Sequence, residues 1–208
     1  MSLSMEDRII EAAKTLFFKN GFVGTSTTDI AKLAGCNQAL VHYYFRTKDK
    51  LFCRIFEEQA GWVMQLINQS LSLDVPFEQQ IRHAATLYFD FLSEHKELPW
   101  FVLTELIRDA QRRAELKAVI TQKTQFMDTY QRFEQRVRHE VEEGHIVPIE
   151  PQDIILHIVS LVVFCFLSLP LYTDVFQLSD EETAAYIDHR KEETIRLILQ
   201  GLKPSCEL

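Results

Sequence analysis

The chain has 208 residues, 47% hydrophobic and 25% charged, with six glycines, six prolines and a formal net charge of −8. Such a length allows one sizeable domain or two small ones, and so little Gly and Pro argues against a turn-rich β fold. Overall acidity excludes a general nucleic-acid coat protein, yet residues 1–50 hold seven basic against five acidic side chains while the remainder holds 15 against 25. A small DNA reader needs only such local positive charge to replace counterions along phosphates.

In chain order, Ile9, Ala13, Leu16 and Phe17 form a stripe at helical period that stops at Asn20-Gly21, where glycine closes a helix. Ser26 stands three residues before Asp29, a Ser-x-x-Asp helix start, and predicts a short helix with Ile30, Leu33 and Ala34 inward and Gly35 as its break. Asn37 is placed to cap a second short helix containing Val41, Tyr44 and Phe45. Thr47 caps a third helix that runs to about Leu73. Two short helices joined by a Gly-containing turn outline a helix-turn-helix.

Beyond residue 73 the pattern is helical throughout. Phe77, Ile81, Ala84, Ala85, Tyr88 and Leu92 make one stripe, and Pro99 opens a short helix. Phe126, Tyr130, Phe133, Val137 and Val141 make another, closed near Gly144. Ile154 to Leu169 is almost wholly apolar and is expected to end at Pro170, and Thr183 to Leu202 is amphipathic. The Ile154–Leu169 run is shorter than the roughly 20 apolar residues that span a bilayer. It is expected to be buried between its own core and a second subunit. The fold class expected is all-α, with a helix-turn-helix domain over residues 4–50 and a helical bundle over 51–208.

The stretch from Gly21 to Phe52, GFVGTSTTDIAKLAGCNQALVHYYFRTKDKLF, resembles the DNA-binding region of the tetracycline-repressor (TetR) family over about Leu16 to Phe56. Gly-Phe, Gly-Thr, Thr-x-Asp-Ile-Ala, Ala-Gly and Tyr-Phe-x-x-Lys-x-x-Leu-Phe stand there at fixed offsets. The resemblance implies a homodimeric regulator, usually a repressor, that binds palindromic operator DNA and answers to a small-molecule effector. It also implies DNA contact by Gln38, Ala39, His42 and Tyr43, with a phosphate on Lys48. The sequence departs from the commoner family pattern at Asn37-Gln38, Leu40 and His42, so no operator is carried over.

The chemistry of these residues agrees with that role. Thr25, Thr27 and Thr28 offer short hydroxyls beside a helix start, a place suited to phosphate or simply to capping. Gln38 can pair bidentately with adenine, and Ala39 can meet a thymine methyl.

In the larger domain, Trp62, Phe89, Trp100, Phe126, Tyr130 and Phe166 are the candidates for lining an effector pocket, although an aromatic stripe at helical spacing serves a plain core equally well. Cys36, Cys53, Cys165 and Cys206 show no C-x-x-C, and the seven histidines no paired spacing with them, so neither a metal site nor a cofactor is expected. No nucleophile motif is present, and no enzyme activity is expected. With no secretory leader pattern and reduced thiols, a cytoplasmic protein with no membrane partner is the expectation.

Overall fold

The computed structural model describes residues 3–108, 110–123 and 125–204, and among them it is helical without strands. Helix α1 spans Met5–Asn20, α2 Thr27–Ala34, α3 Gln38–Phe45, α4 Lys48–Leu71, α5 Phe77–Glu94 and α6 Leu98–Arg108. Helix α7 spans Ala110–Ala118, α8 Phe126–Glu142, α9 Pro151–Phe176 and α10 Asp180–Leu202, with a π-helical turn at Val119–Lys123. Cys206 lies outside the described residues.

The chain divides into two compact units, Met1–Trp62 with Trp100–Val119, and Val63–Pro99 with Ile120–Leu208. The boundary expected after residue 50 falls inside the first unit, which continues along α4 and takes in a distant segment, Trp100–Val119.

In the first unit, Ser26 Oγ accepts the Asp29 backbone N–H at 3.1 Å and Asn37 Oδ1 accepts that of Leu40 at 2.9 Å. These caps satisfy donors that a helix start leaves open, and they set the first residues of α2 and α3. Gly35 closes α2 at φ 69°, and a Cβ there would meet Arg8 Nη2 at 2.5 Å. That guanidinium donates to the Ala34 carbonyl at 2.6 Å, tying α1 to the end of α2.

Ile30, Ala31 and Ala34 are the buried face of α2. Leu33, expected inward, is 54% exposed, because it falls roughly 100° around the helix from the centre of that face. Tyr44 likewise points mostly outward, while Val41 and Phe45 are buried.

Between α3 and α4 the backbone makes a γ-turn. Arg46 has φ 64° and ψ −52°, and the Thr47 N–H donates to the Phe45 carbonyl at 2.7 Å. Thr47 then caps α4 by accepting the Lys50 N–H at 3.1 Å. Phe52, fully buried on α4, gathers Phe17 at 5.1 Å, Phe22 at 5.0 Å and Phe101 at 5.2 Å between ring centroids.

In the second unit, α5, α8 and α10 pack on α9 or on one another. Phe89 meets Phe166 at 5.8 Å, Phe77 stacks on Phe133 at 6.3 Å, and Lys191 reaches Asp90 at 3.1 Å.

Helix α9 does not end at Pro170 but runs on to Phe176. A proline interrupts a helix by removing one N–H bond and crowding one carbonyl. Here the turns beyond it are held by packing: Tyr172 stacks on Tyr186 of α10 at 4.0 Å and touches Phe176 at 4.5 Å.

By length and composition α9 would suffice to cross a membrane, with a mean hydropathy of 2.6 over 18 residues. Its Ile154, Ile158, Val162, Cys165 and Leu169 are buried, so it serves as a core helix of this unit. Leu156, Phe164, Leu171 and Val175, on another face, are exposed.

Candidate nucleic-acid interface

Three capped helix starts, those of α2, α3 and α4, position the predicted DNA-contacting residues in the first unit. An open groove runs past Ser26 and Thr27 at the start of α2, His42 and Arg46 at the end of α3, and Lys48 at the start of α4. Thr28, Gln38, Ala39 and His42 are exposed, and Tyr43 is 69% exposed with its ring edge-on to Tyr44. An exposed tyrosine of that size on a two-turn helix has no core to fill, which leaves it free to meet a partner.

Thr25 does not belong to that exposed set. Its side chain is buried, and its Oγ1 lies 3.1 Å from the Leu16 carbonyl and 2.9 Å from that of Gly21. A hydroxyl has one proton, and here it is turned inward to carbonyls at the end of α1. The expected phosphate contact of this hydroxyl is therefore corrected to a brace of the α1–α2 loop.

Lys48 shares the bracing. Its Nζ donates to the carbonyls of Phe22 and Thr25, both at 2.9 Å, and lies 4.2 Å from the centroid of the Phe22 ring. An ammonium carries three N–H donors, so two are used within the fold and one is left over.

Sequence reasoning missed the cluster behind this surface. Arg112 of α7 is 2% exposed, and its Nη2 donates to Asp49 at 2.5 Å. Its Nη1 donates to Glu115 at 2.9 Å and lies 2.7 Å from Cys53 Sγ. The guanidinium carbon sits 4.5 Å from the Phe52 centroid and 5.3 Å from that of Phe22. Burial alone would lower the guanidinium's pKa, but its hydrogen bonds to Glu115 and Asp49 outweigh that and raise it. Burial pushes the Cys53 thiol up to about 11, against the pull of Arg112. The only signal in the sequence was Arg112 three residues before Glu115, a spacing found on any exposed helix.

The six aromatics proposed for an effector pocket are divided between the two units. Trp62 and Trp100, in the first unit, are 43% and 62% exposed. In the second unit Phe89 and Phe166 are closely packed core, and Phe126 stacks on Tyr130, whose hydroxyl donates to Gln152 at 2.9 Å. A cavity of about 40 Å³ in this unit is lined instead by Leu66, Ile67, Leu71, Ala84, Tyr88 and Ile155 among others. The Tyr88 hydroxyl is pushed up to about 12 by burial.

A two-turn helix presenting polar and aromatic side chains, reached through a glycine-closed turn from a capped helix, defines a helix-turn-helix DNA-binding protein. Residues 9–55 match the model described as bacterial regulatory proteins, tetR family. The chain is 27% identical over 192 residues to the probable HTH-type transcriptional regulator YttP of Bacillus subtilis, covering 89% of this chain and 88% of that one. It is 31% identical over 117 residues to the HTH-type transcriptional repressor NicS of Pseudomonas putida, covering 54% and 55%.

Among solved structures, the hemolysin II transcriptional regulator HlyIIR superposes with a TM-score of 0.66 at 21% identity, over 97% of this chain and all of that one. FadR of Bacillus subtilis in complex with stearoyl-CoA gives 0.64 at 16%, over 95% and 99%. Residues 9–55 thus carry the DNA-binding region of the tetR family of bacterial regulatory proteins, and the curated relatives of the chain are HTH-type transcriptional regulators.

Proposed function

We propose that the protein is a cytoplasmic repressor that binds palindromic operator DNA as a homodimer and is released by a small, largely apolar effector. The observation that carries this reading is the pairing of two unsatisfied surfaces. One is the reading face of α3 with its neighbours: Thr27, Thr28, Gln38, Ala39, His42, Tyr43 and Lys48. The other is the stripe on α9 at Leu156, Phe164, Leu171 and Val175, exposed by 60–69%. Contiguous exposed apolar side chains on a soluble chain mark an interface, and Leu197 on α10 is 46% exposed as well. A second copy related by a two-fold axis would cover the α9 stripe and Leu197 at once and supply the second reading head. Successive major grooves on one DNA face then require the two heads about 34–36 Å apart, or a multiple.

The small apolar cavity beside Tyr88 supports an effector with an apolar part, as does the similarity in fold to a regulator solved with stearoyl-CoA, whose acyl chain is apolar. An effector that binds a conformer of wrong head spacing more tightly shifts the population away from DNA by that difference in affinity. The test is selection of duplexes from a randomised pool by the full chain, followed by sedimentation of protein and complex. Enrichment of inverted repeats bound by two copies is expected. Enrichment of no sequence, or binding as one copy, would overturn the reading.

A further inference from the structure

His42 and Gln38 fix each other's hydrogen-bonding direction. His42 Nδ1 lies 3.1 Å from the carbonyl oxygen of Arg46. A carbonyl only accepts, so Nδ1 carries the proton, and a neutral imidazole then presents a bare, accepting Nε2. The Gln38 amide stands 3.5 Å from that Nε2 and 2.8 Å from Thr27 Oγ1, with its nitrogen toward both. Turning the amide over would set Gln38 Oε1 against a second acceptor, so the NH2 end must face His42. Both amide protons are thereby engaged within the protein, and Oε1 alone is left for the groove.

We infer that Gln38 reads its base pair as a single acceptor, taking a hydrogen bond from the exocyclic amine of adenine or cytosine. It does not make the two-point contact with adenine, which would need its NH2 for the N7 atom. Guanine and thymine show only acceptors or a methyl group at the corresponding positions of the major groove, and Oε1 opposes them. His42 and Thr27 are positioning residues: they act on the base through Gln38. The departure from the commoner family pattern at His42 thus has a consequence, since it is this ring that dictates which end of the amide faces the DNA. The inference rests on α3 being the base-reading helix.

The experiment uses the full chain and duplexes it selects from a randomised pool. The position read by Gln38 is the one whose preference Gln38→Ala abolishes, and adenine or cytosine is expected there on the strand facing α3. In duplexes carrying adenine at that position, 2-aminopurine removes the major-groove amine and should weaken binding about tenfold. Replacement by 7-deazaadenine removes only N7 and should change binding by less than about twofold.

A preference for guanine or thymine, or a 7-deazaadenine penalty equal to that of 2-aminopurine, overturns the inference while leaving the base-reading helix standing. If Gln38→Ala relaxes no position, both fall. In the double variant Thr27→Val with His42→Phe the amide is freed, and the 7-deazaadenine penalty should rise to about tenfold. An unchanged penalty would refute the positioning role.

Discussion

Arg112 on α7 and Asp49 in the first turn of α4 are joined at 2.5 Å, although 63 residues separate them in the chain. This contact binds the segment Trp100–Val119 to the unit that carries the reading helix. Asp49 is half exposed, so the pair itself is screened; most of its value lies in the buried end, where the guanidinium lies over Phe52 and holds Glu115.

Arg112→Met should therefore destabilise the first unit by about 3 kcal/mol, by removing cation–π packing and the positive charge that faces Glu115 and Asp49. Arg112→Lys should recover little, since an ammonium cannot bridge two carboxylates in one plane. Trp62 and Trp100 are the only tryptophans and both lie in this unit. Urea unfolding followed by tryptophan fluorescence reads the effect directly.

Cys53 should be slow to alkylate. With its pKa moved from 9.0 to about 11, the thiolate fraction near neutral pH is about a hundredfold below that of an ordinary thiol. Iodoacetamide labelling in a variant lacking the other cysteines measures this.

The same shift gives a pH dependence. The folded state holds this proton more tightly than the unfolded chain, so its contribution is complete below about pH 9 and is lost as pH rises through about 11. The urea midpoint of the parent should fall more steeply across that window than that of Cys53→Ala.

Thr25→Val and Lys48→Met separate bracing from contact. Thr25→Val removes the hydroxyl proton that braces the Leu16 and Gly21 carbonyls and should cost about 1 kcal/mol of stability, with the salt dependence of DNA binding unchanged. Lys48→Met should weaken binding on all duplexes alike and flatten the slope of log affinity against log salt by about one, while also lowering stability. Titrations at several salt concentrations, alongside urea melts, distinguish the two.

Phe164→Glu places a charge in the middle of the bare α9 stripe without touching the core of its own unit. Sedimentation equilibrium should show a monomer, and affinity for an inverted repeat should fall at least about a hundredfold, because the second head no longer adds its contacts. Far-ultraviolet circular dichroism should remain that of the parent.

Much of the fold was legible because caps and periodicity are local. Ser26, Asn37 and Thr47 announce helix starts through bonds made within three residues, and Gly35 announces a stop through its own backbone. The exposure of Gln38, Ala39, His42 and Tyr43 was legible for the same reason, since it follows from the phase of one short helix.

What escaped depends on distance in the chain. The buried hydroxyl of Thr25 is decided by carbonyls at Leu16 and Gly21, and Arg112 is buried only because Asp49 and Phe52 await it. Pro170 failed as a stop because Tyr186, 16 residues on, stacks on Tyr172 and holds the turn beyond the proline in place. The split of the aromatics between two units is likewise a property of packing, invisible to spacing.

The γ-turn at Arg46 leaves α3 and α4 joined by two residues, the first of them closed by the Thr47 N–H to Phe45 carbonyl hydrogen bond. With so short a joint, a rotation at the first turn of α4 would be passed on to α3, the proposed reading helix, and would turn the side chains it offers to DNA.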